Sequence, residues 1–255
     1  MSGINEKDKW NHFHHDFAES VSFNEEVSKK YLEENGVDVE RFIGKGLKQI
    51  ANALRKKQDE KSKALFFKRV VLGAEIVNNL YDEITFGHVK LQKLMYLCEQ
   101  VSSMELSTRY TKQAAGPYDA KFMHSVDKEF ERQKWFNVEV TSGDKYNNYE
   151  YSPGVKIESY KKYFDNYYSE SKSHIKWLID TFGKPQTKKV ELVATIYSCL
   201  EEYTLKREEF SSDSLIQKVM NWSEEKKKKF TPNDVSKAHQ WMIEKGLIPK
   251  PLNNN

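Results

Sequence analysis

Hydrophobic positions along most of this chain recur at three- and four-residue steps, the spacing that lines one face of a helix. Residues 22–34 are highly charged and read as a first helix, stopped at Asn35-Gly36, a pair suited to a left-handed helix end. From Asp38 the positions Val39, Phe42, Ile43, Leu47, Ile50, Ala51 and Leu54 gather on one stripe, although Gly44 and Gly46 weaken that helix. Arg55 to Lys63 holds no apolar side chain, reads as an exposed helix extension or linker, and sets a boundary. Phe67, Val70, Val71, Ala74, Val77 and Tyr81 then predict a helix whose apolar face is widened by Phe66, Leu72 and Ile76, so it should be largely buried. Beyond Thr85 and Gly87, the positions Val89, Leu91, Leu94, Met95, Cys98 and Val101 share one helical side, which makes Cys98 a core residue. A further helix is expected to start at Gly116-Pro117, with Phe122, Met123, Val126 and Phe130 as its buried stripe.

The period changes near Trp135. Residues 135–140 and 149–151 are aromatic and β-branched, and the turn formers between them predict a hairpin over 135–151. Helices are expected over Ile157 to Tyr168 and Ser173 to Phe182, and Gly183-Lys184-Pro185 marks a second boundary. Three helices follow, marked by Val190 to Tyr203, by Leu215 to Met220, and by Val235, Ala238 and Met242. Thr231, Pro232 and Asp234 cap the last of them, and Gly246 ends it. The expected fold is mainly α, a multi-helix domain with one small β-hairpin and a C-terminal three-helix, helix-turn-helix-like unit. Its parts are an N-terminal helical arm (1–63), a helical core carrying the hairpin (64–182) and the C-terminal unit (183–255).

Composition agrees with a helical chain: 11 glycines and 6 prolines in 255 residues, with 31% charged. Collagen-like, low-complexity and disulfide-stapled classes are excluded. No apolar run approaches the ~18 residues of a membrane span, and Met1 to Lys9 lacks the apolar centre of a secretory leader. Two separated cysteines, Cys98 and Cys199, suggest no disulfide framework, and a cytoplasmic setting without a membrane partner is expected. Net charge is only +3, and the excess lies in residues 183–255, where 13 basic side chains meet 10 acidic ones. Four of those charges are consecutive, Lys226, Lys227, Lys228 and Lys229, a run that suits either a solvated face or phosphate contacts.

Phosphate-binding, dinucleotide, zinc-protease and nucleophile-elbow signatures are missing, so a catalytic role is not expected and no cofactor is implied. Ser169 to Lys172 matches a Ser-x-x-Lys spacing that a chain rich in both residues produces by chance. Asp119-Ala120-Lys121 has the acid-x-Lys spacing of metal-dependent nucleases, but falls in a predicted first helical turn, where Asp119 serves as a helix-start acid. His12, His14 and His15 with Asp16 have no cysteine or second cluster nearby and are read as no metal site. More informative is the interleaving of Lys90, Lys93, Arg109, Lys112 and Lys121 with Tyr96, Tyr110, Tyr118 and Gln113, a mixture suited to protein or phosphate contacts. In the last helix Lys237, Trp241 and Lys245 recur at four-residue steps, as a groove-entering helix arranges them, although Trp241 suits a core equally.

Phe67 to Val77 followed by Phe86-Gly87-His88-Val89-Lys90-Leu91-Gln92-Lys93-Leu94-Met95-Tyr96-Leu97 resembles the Lys-Leu-Gln-Lys-Leu helix of Panacea-type, antitoxin-associated domains. Ala115-Gly116-Pro117-Tyr118 is similar to their downstream Gly-Pro element. Residues 113–119, 134–136, 193–197 and 241–249 also resemble the helical module attached to some type I restriction specificity subunits. The likeness covers roughly residues 64–250. It implies a non-enzymatic role in a bacterial restriction or toxin–antitoxin setting, recognising a protein partner, with DNA as a second candidate. The mixed basic and aromatic residues place the expected contact of such an accessory protein with its partner, a toxin, restriction or protease subunit, on the 88–121 surface. Residues 1–63 depart from the likeness, showing no β-rich target-recognition domain, and read as an oligomerisation or docking arm able to join two copies. The alternatives are a DNA-binding regulator using Lys226 to Lys229, Lys237, Trp241 and Lys245, and a metal-dependent nuclease.

Overall fold

A computed structural model of the chain describes residues 25–104, 110–143, 147–184 and 187–250. Two units are distinguished, residues 1–63 and 64–255.

In the first unit, α1 (Glu25–Glu34) ends at Gly36, whose φ of +78° lets the Val37 amide return to the Leu32 carbonyl at 2.9 Å. Asp38 caps the next helix by accepting the Arg41 amide at 2.9 Å. That helix, α2 (Val39–Leu80), continues without interruption through Gly44, Gly46 and the apolar-free residues 55–63. Of the two readings of that segment, exposed helix extension or linker, the helix extension is the one present, since Arg, Lys, Gln and Glu are good helix formers. Lacking apolar groups, that segment is left outside the core rather than outside the helix.

The second unit is built around α3 (His88–Val101) and α7 (Thr187–Lys206). Residues 90–99 of α3 are all buried, as are residues 190–197 of α7, so both helices are enclosed on every side. α3 packs against α7 and α6 (Lys172–Gly183), and the 64–80 stretch of α2 adds Val70, Val71, Leu72, Ala74, Ile76, Val77 and Leu80 to the same core. Residues on both sides of position 183 share this core. Cys98 and Cys199 are buried free thiols within it.

A pair of three-residue strands, β1 (Thr111–Gln113) and β2 (Gly116–Tyr118), forms an antiparallel hairpin. Gly116-Pro117 therefore does not open a helix. Gly116 takes φ +108° in this turn, and a Cβ there would stand 2.9 Å from the Thr195 hydroxyl. The helix α4 (Ala120–Gln133) begins three residues later, capped by Asp119, which accepts the Phe122 amide at 3.0 Å. The one expected hairpin is present as β3 (Phe136–Thr141) and β4 (Asn148–Pro153), with Val138 opposite Tyr151. The region predicted as one helix over 157–168 is a 3₁₀ turn, Ile157–Tyr160, leading into α5 (Lys161–Tyr167).

After α7 come α8 (Ser212–Met220), α9 (Glu224–Lys229) and α10 (Pro232–Glu244). The three expected C-terminal helices are present, and the lysine run adds a fourth, with Ser223 capping it through the Lys226 amide. Thr231 and Asp234 cap α10 reciprocally, as their spacing implied. The fold is mainly α, with two small antiparallel strand pairs among the described residues. No helix among those residues is long and apolar enough to cross a membrane.

Candidate interaction surface

The β1–β2 hairpin is the place where charged, aromatic and backbone groups from five parts of the second unit converge. Its foundation is Arg69 on α2, which is almost wholly buried. Its Nε donates to Glu99 at 2.7 Å, its Nη1 to Asp119 at 2.6 Å, and the Tyr110 hydroxyl donates to the other Glu99 oxygen at 2.5 Å. Burial works against the Arg69 charge, yet the neighbouring Glu99 and its hydrogen bonds hold the guanidinium above its ordinary pKa. Burial also raises the Glu99 carboxyl, against the pull of Arg69 and Tyr110. One arginine thus ties together α2, α3, the residue before β1 and the residue after β2.

From the other side, Lys93 donates to the Pro117 carbonyl at 2.6 Å. Burial, reinforced by the nearby Lys226 ammonium, brings Lys93 down to about 7. Lys226 is itself buried and donates to Glu191 at 2.6 Å, while Lys229 takes the second Glu191 oxygen at 2.5 Å. At the tip, the Trp222 indole donates to the Gln113 carbonyl at 2.6 Å and the Ser223 hydroxyl to the Ala114 carbonyl at 3.0 Å. Lys112 lies over the Trp222 ring, 4.5 Å from its centre.

The residues expected on one mixed surface separate into two groups. Lys90, Lys93 and Tyr96 are interior: Lys90 donates to Thr85 and to the Gly183 carbonyl, and Tyr96 to Glu201 at 2.8 Å. They are not available on a face because α3 is covered all round, so its polar side chains find partners inside. Lys112, Gln113 and Lys121 are exposed, with Tyr110 and Tyr118 half-buried beside them. Arg109 lies outside the described residues, as do His12, His14, His15 and Asp16. Asp119, engaged by Arg69 and the Phe122 amide, has the helix-start role expected of it and an ion pair as well.

The proposed DNA-contacting set is also divided. Lys226 is buried, Lys229 is engaged by Glu191, and Lys227 bonds to Glu224 at 2.9 Å. Trp241 stacks on Trp177 and meets Phe182 edge-on, so its ring serves packing. Lys228, Lys237 and Lys245 are exposed. Elsewhere, a recess of about 600 Å³ lies between residues 81–90 and β4. At its side His88 stacks on Tyr149 at 3.9 Å, with its Nε2 3.1 Å from Asp127.

Arg69, Glu99, Glu191 and Trp222 were not singled out from the sequence. A charged pair flanked by apolar residues on both sides, as in Phe66-Phe67-Lys68-Arg69-Val70-Val71, was the signal available for Arg69. Glu191 had a similar one, preceding the apolar run 192–194. No protein-family model matches the chain, and no curated protein matches it.

Proposed function

We propose that this chain is a non-enzymatic, cytoplasmic interaction protein that grips a protein partner with the β1–β2 hairpin and its flanks. The observation that carries this reading is the contrast between the two sides of the hairpin. All of β1 is exposed, while its base is fixed by Arg69, Glu99, Asp119 and Lys93, which are buried. Buried charge networks are costly to assemble and hold one geometry once satisfied. A short loop presented from so fixed a base is suited to recognition. Lys112, Gln113, Tyr118, Lys121 and Trp222 offer a mixture of cationic, amide and aromatic groups, of which aromatic ones in particular are common binding anchors.

The resemblance to Panacea-type domains and to modules of restriction specificity subunits supports placing the partner in a bacterial restriction or toxin–antitoxin system. The residues 1–63 arm, in this reading, joins two copies of the chain. Of the alternatives, DNA binding retains Lys228, Lys237 and Lys245 as accessible contacts. Nothing favours the nuclease reading through Asp119, which is paired with Arg69 at 2.6 Å.

Purification from the native host tests the assignment. Wild type should retain a stoichiometric protein partner that the Lys112→Glu, Lys121→Glu double variant loses while keeping its helical circular dichroism. Equal recovery with both proteins would refute the hairpin as the binding element.

A further inference from the structure

An exposed apolar face lies in the arm. Phe42, Ile43, Leu47, Ile50 and Leu54 of α2 are each more than half exposed. Ile43, Leu47, Ile50 and Leu54 recur at steps of four, three and four, the seam spacing of two helices packed side by side. Gly44, Gly46, Ala51 and Ala53 flank this seam. A Cβ added at Gly44 or Gly46 would meet nothing within 4 Å among the described residues, so none of these requires their bare backbone. Glycine weakens a helix interior relative to alanine, and what it offers in exchange is close approach by a second backbone.

Charge at the seam ends selects the occupant. Glu40 precedes Ile43 by one seam step, and Lys57 follows Leu54 by one. Laid antiparallel on a copy of itself, the seam sets Leu47 against the partner's Ile50 and Ile43 against the partner's Leu54. Glu40 then faces the partner's Lys57 at both ends. A parallel arrangement would instead set Glu40 against Glu40 and Lys57 against Lys57, a like-charge pairing that disfavours it. Covering five such side chains on each copy removes on the order of 1,000 Å² from water, the least that a specific interface requires.

We infer that a second copy of this chain covers the stripe, with the two arms antiparallel and centred between Leu47 and Ile50. This deepens the reading of the arm as a pairing element and rests on it.

Light scattering and sedimentation of the full chain over a wide concentration range test the inference. Wild type should be a dimer of the 30.0 kDa chain, and Leu47→Lys a monomer with unchanged circular dichroism. Glu40→Lys and Lys57→Glu should each weaken the dimer roughly tenfold, and the two together should restore it. A dimer indifferent to the single charge changes would overturn the antiparallel register and leave the pairing arm standing. A wild-type monomer would overturn both, whether the stripe is covered by another part of the chain or by a different protein. So would a dimer unaffected by Leu47→Lys.

Discussion

Arg69 carries more of the structure around the hairpin than any other side chain there. Replacing it with Met leaves Glu99 and Asp119 as buried carboxylates without their cation, which should cost about 3–5 kcal/mol in urea unfolding at neutral pH. Lys121→Met, on the exposed side of the same region, should stay within ~0.5 kcal/mol. Equal costs for the two would contradict the network. Lys93 makes a prediction of opposite pH sense to a surface lysine. Its pKa falls from 10.5 unfolded to about 7 folded. Between those values the unfolded chain holds more protons, so the contribution of Lys93 to stability grows as pH rises through that window and is smallest below it. The stability gap between wild type and Lys93→Met should therefore move towards wild type by on the order of 1–4 kcal/mol from pH 7 to pH 10. A gap that is flat with pH would mean that Lys93 stays charged.

Among single residues, Cys98 in the core and Asp119 at a helix start were legible from spacing and cap chemistry alone. Lys90, Lys93 and Tyr96 were not, since periodicity reports one apolar face and cannot tell that neighbours will enclose the other. Only the packing of α3 between α6, α7 and the hairpin turns its polar side inward.

Elements were read more securely where their pattern was long. The stripes of α2, α3 and α7 and the caps of α10 follow directly from period and chemistry. The β3–β4 hairpin was visible because aromatic and β-branched runs flank an evident turn. β1–β2 was missed because three-residue strands contain too little alternation, and Gly116-Pro117 has the same composition as a helix start. The continuity of α2 was left open between helix extension and linker, because an apolar-free segment carries no periodicity to decide between them. Gly116 is the element's weak point: Gly116→Ala should lower stability by about 1–3 kcal/mol in thermal unfolding, through backbone strain at φ +108° and contact with Thr195. Unchanged stability would show that the hairpin does not need that conformation.

For the whole molecule, a small net charge and the internal use of Lys226 and Lys229 oppose a large DNA footprint. With Lys228, Lys237 and Lys245 accessible, the salt dependence of any duplex DNA binding should not exceed a log–log slope of about 3 in gel-shift titrations. A markedly steeper slope would favour the DNA-binding reading. The central claim is that the hairpin is where a protein partner is held. Its most direct test is a photo-crosslinking side chain placed at Gln113 and, for comparison, at the exposed Lys128 on α4, with irradiation in the native host. The account predicts a single discrete adduct from position 113 and none from 128. No adduct at 113, or the same products from both positions, would contradict it.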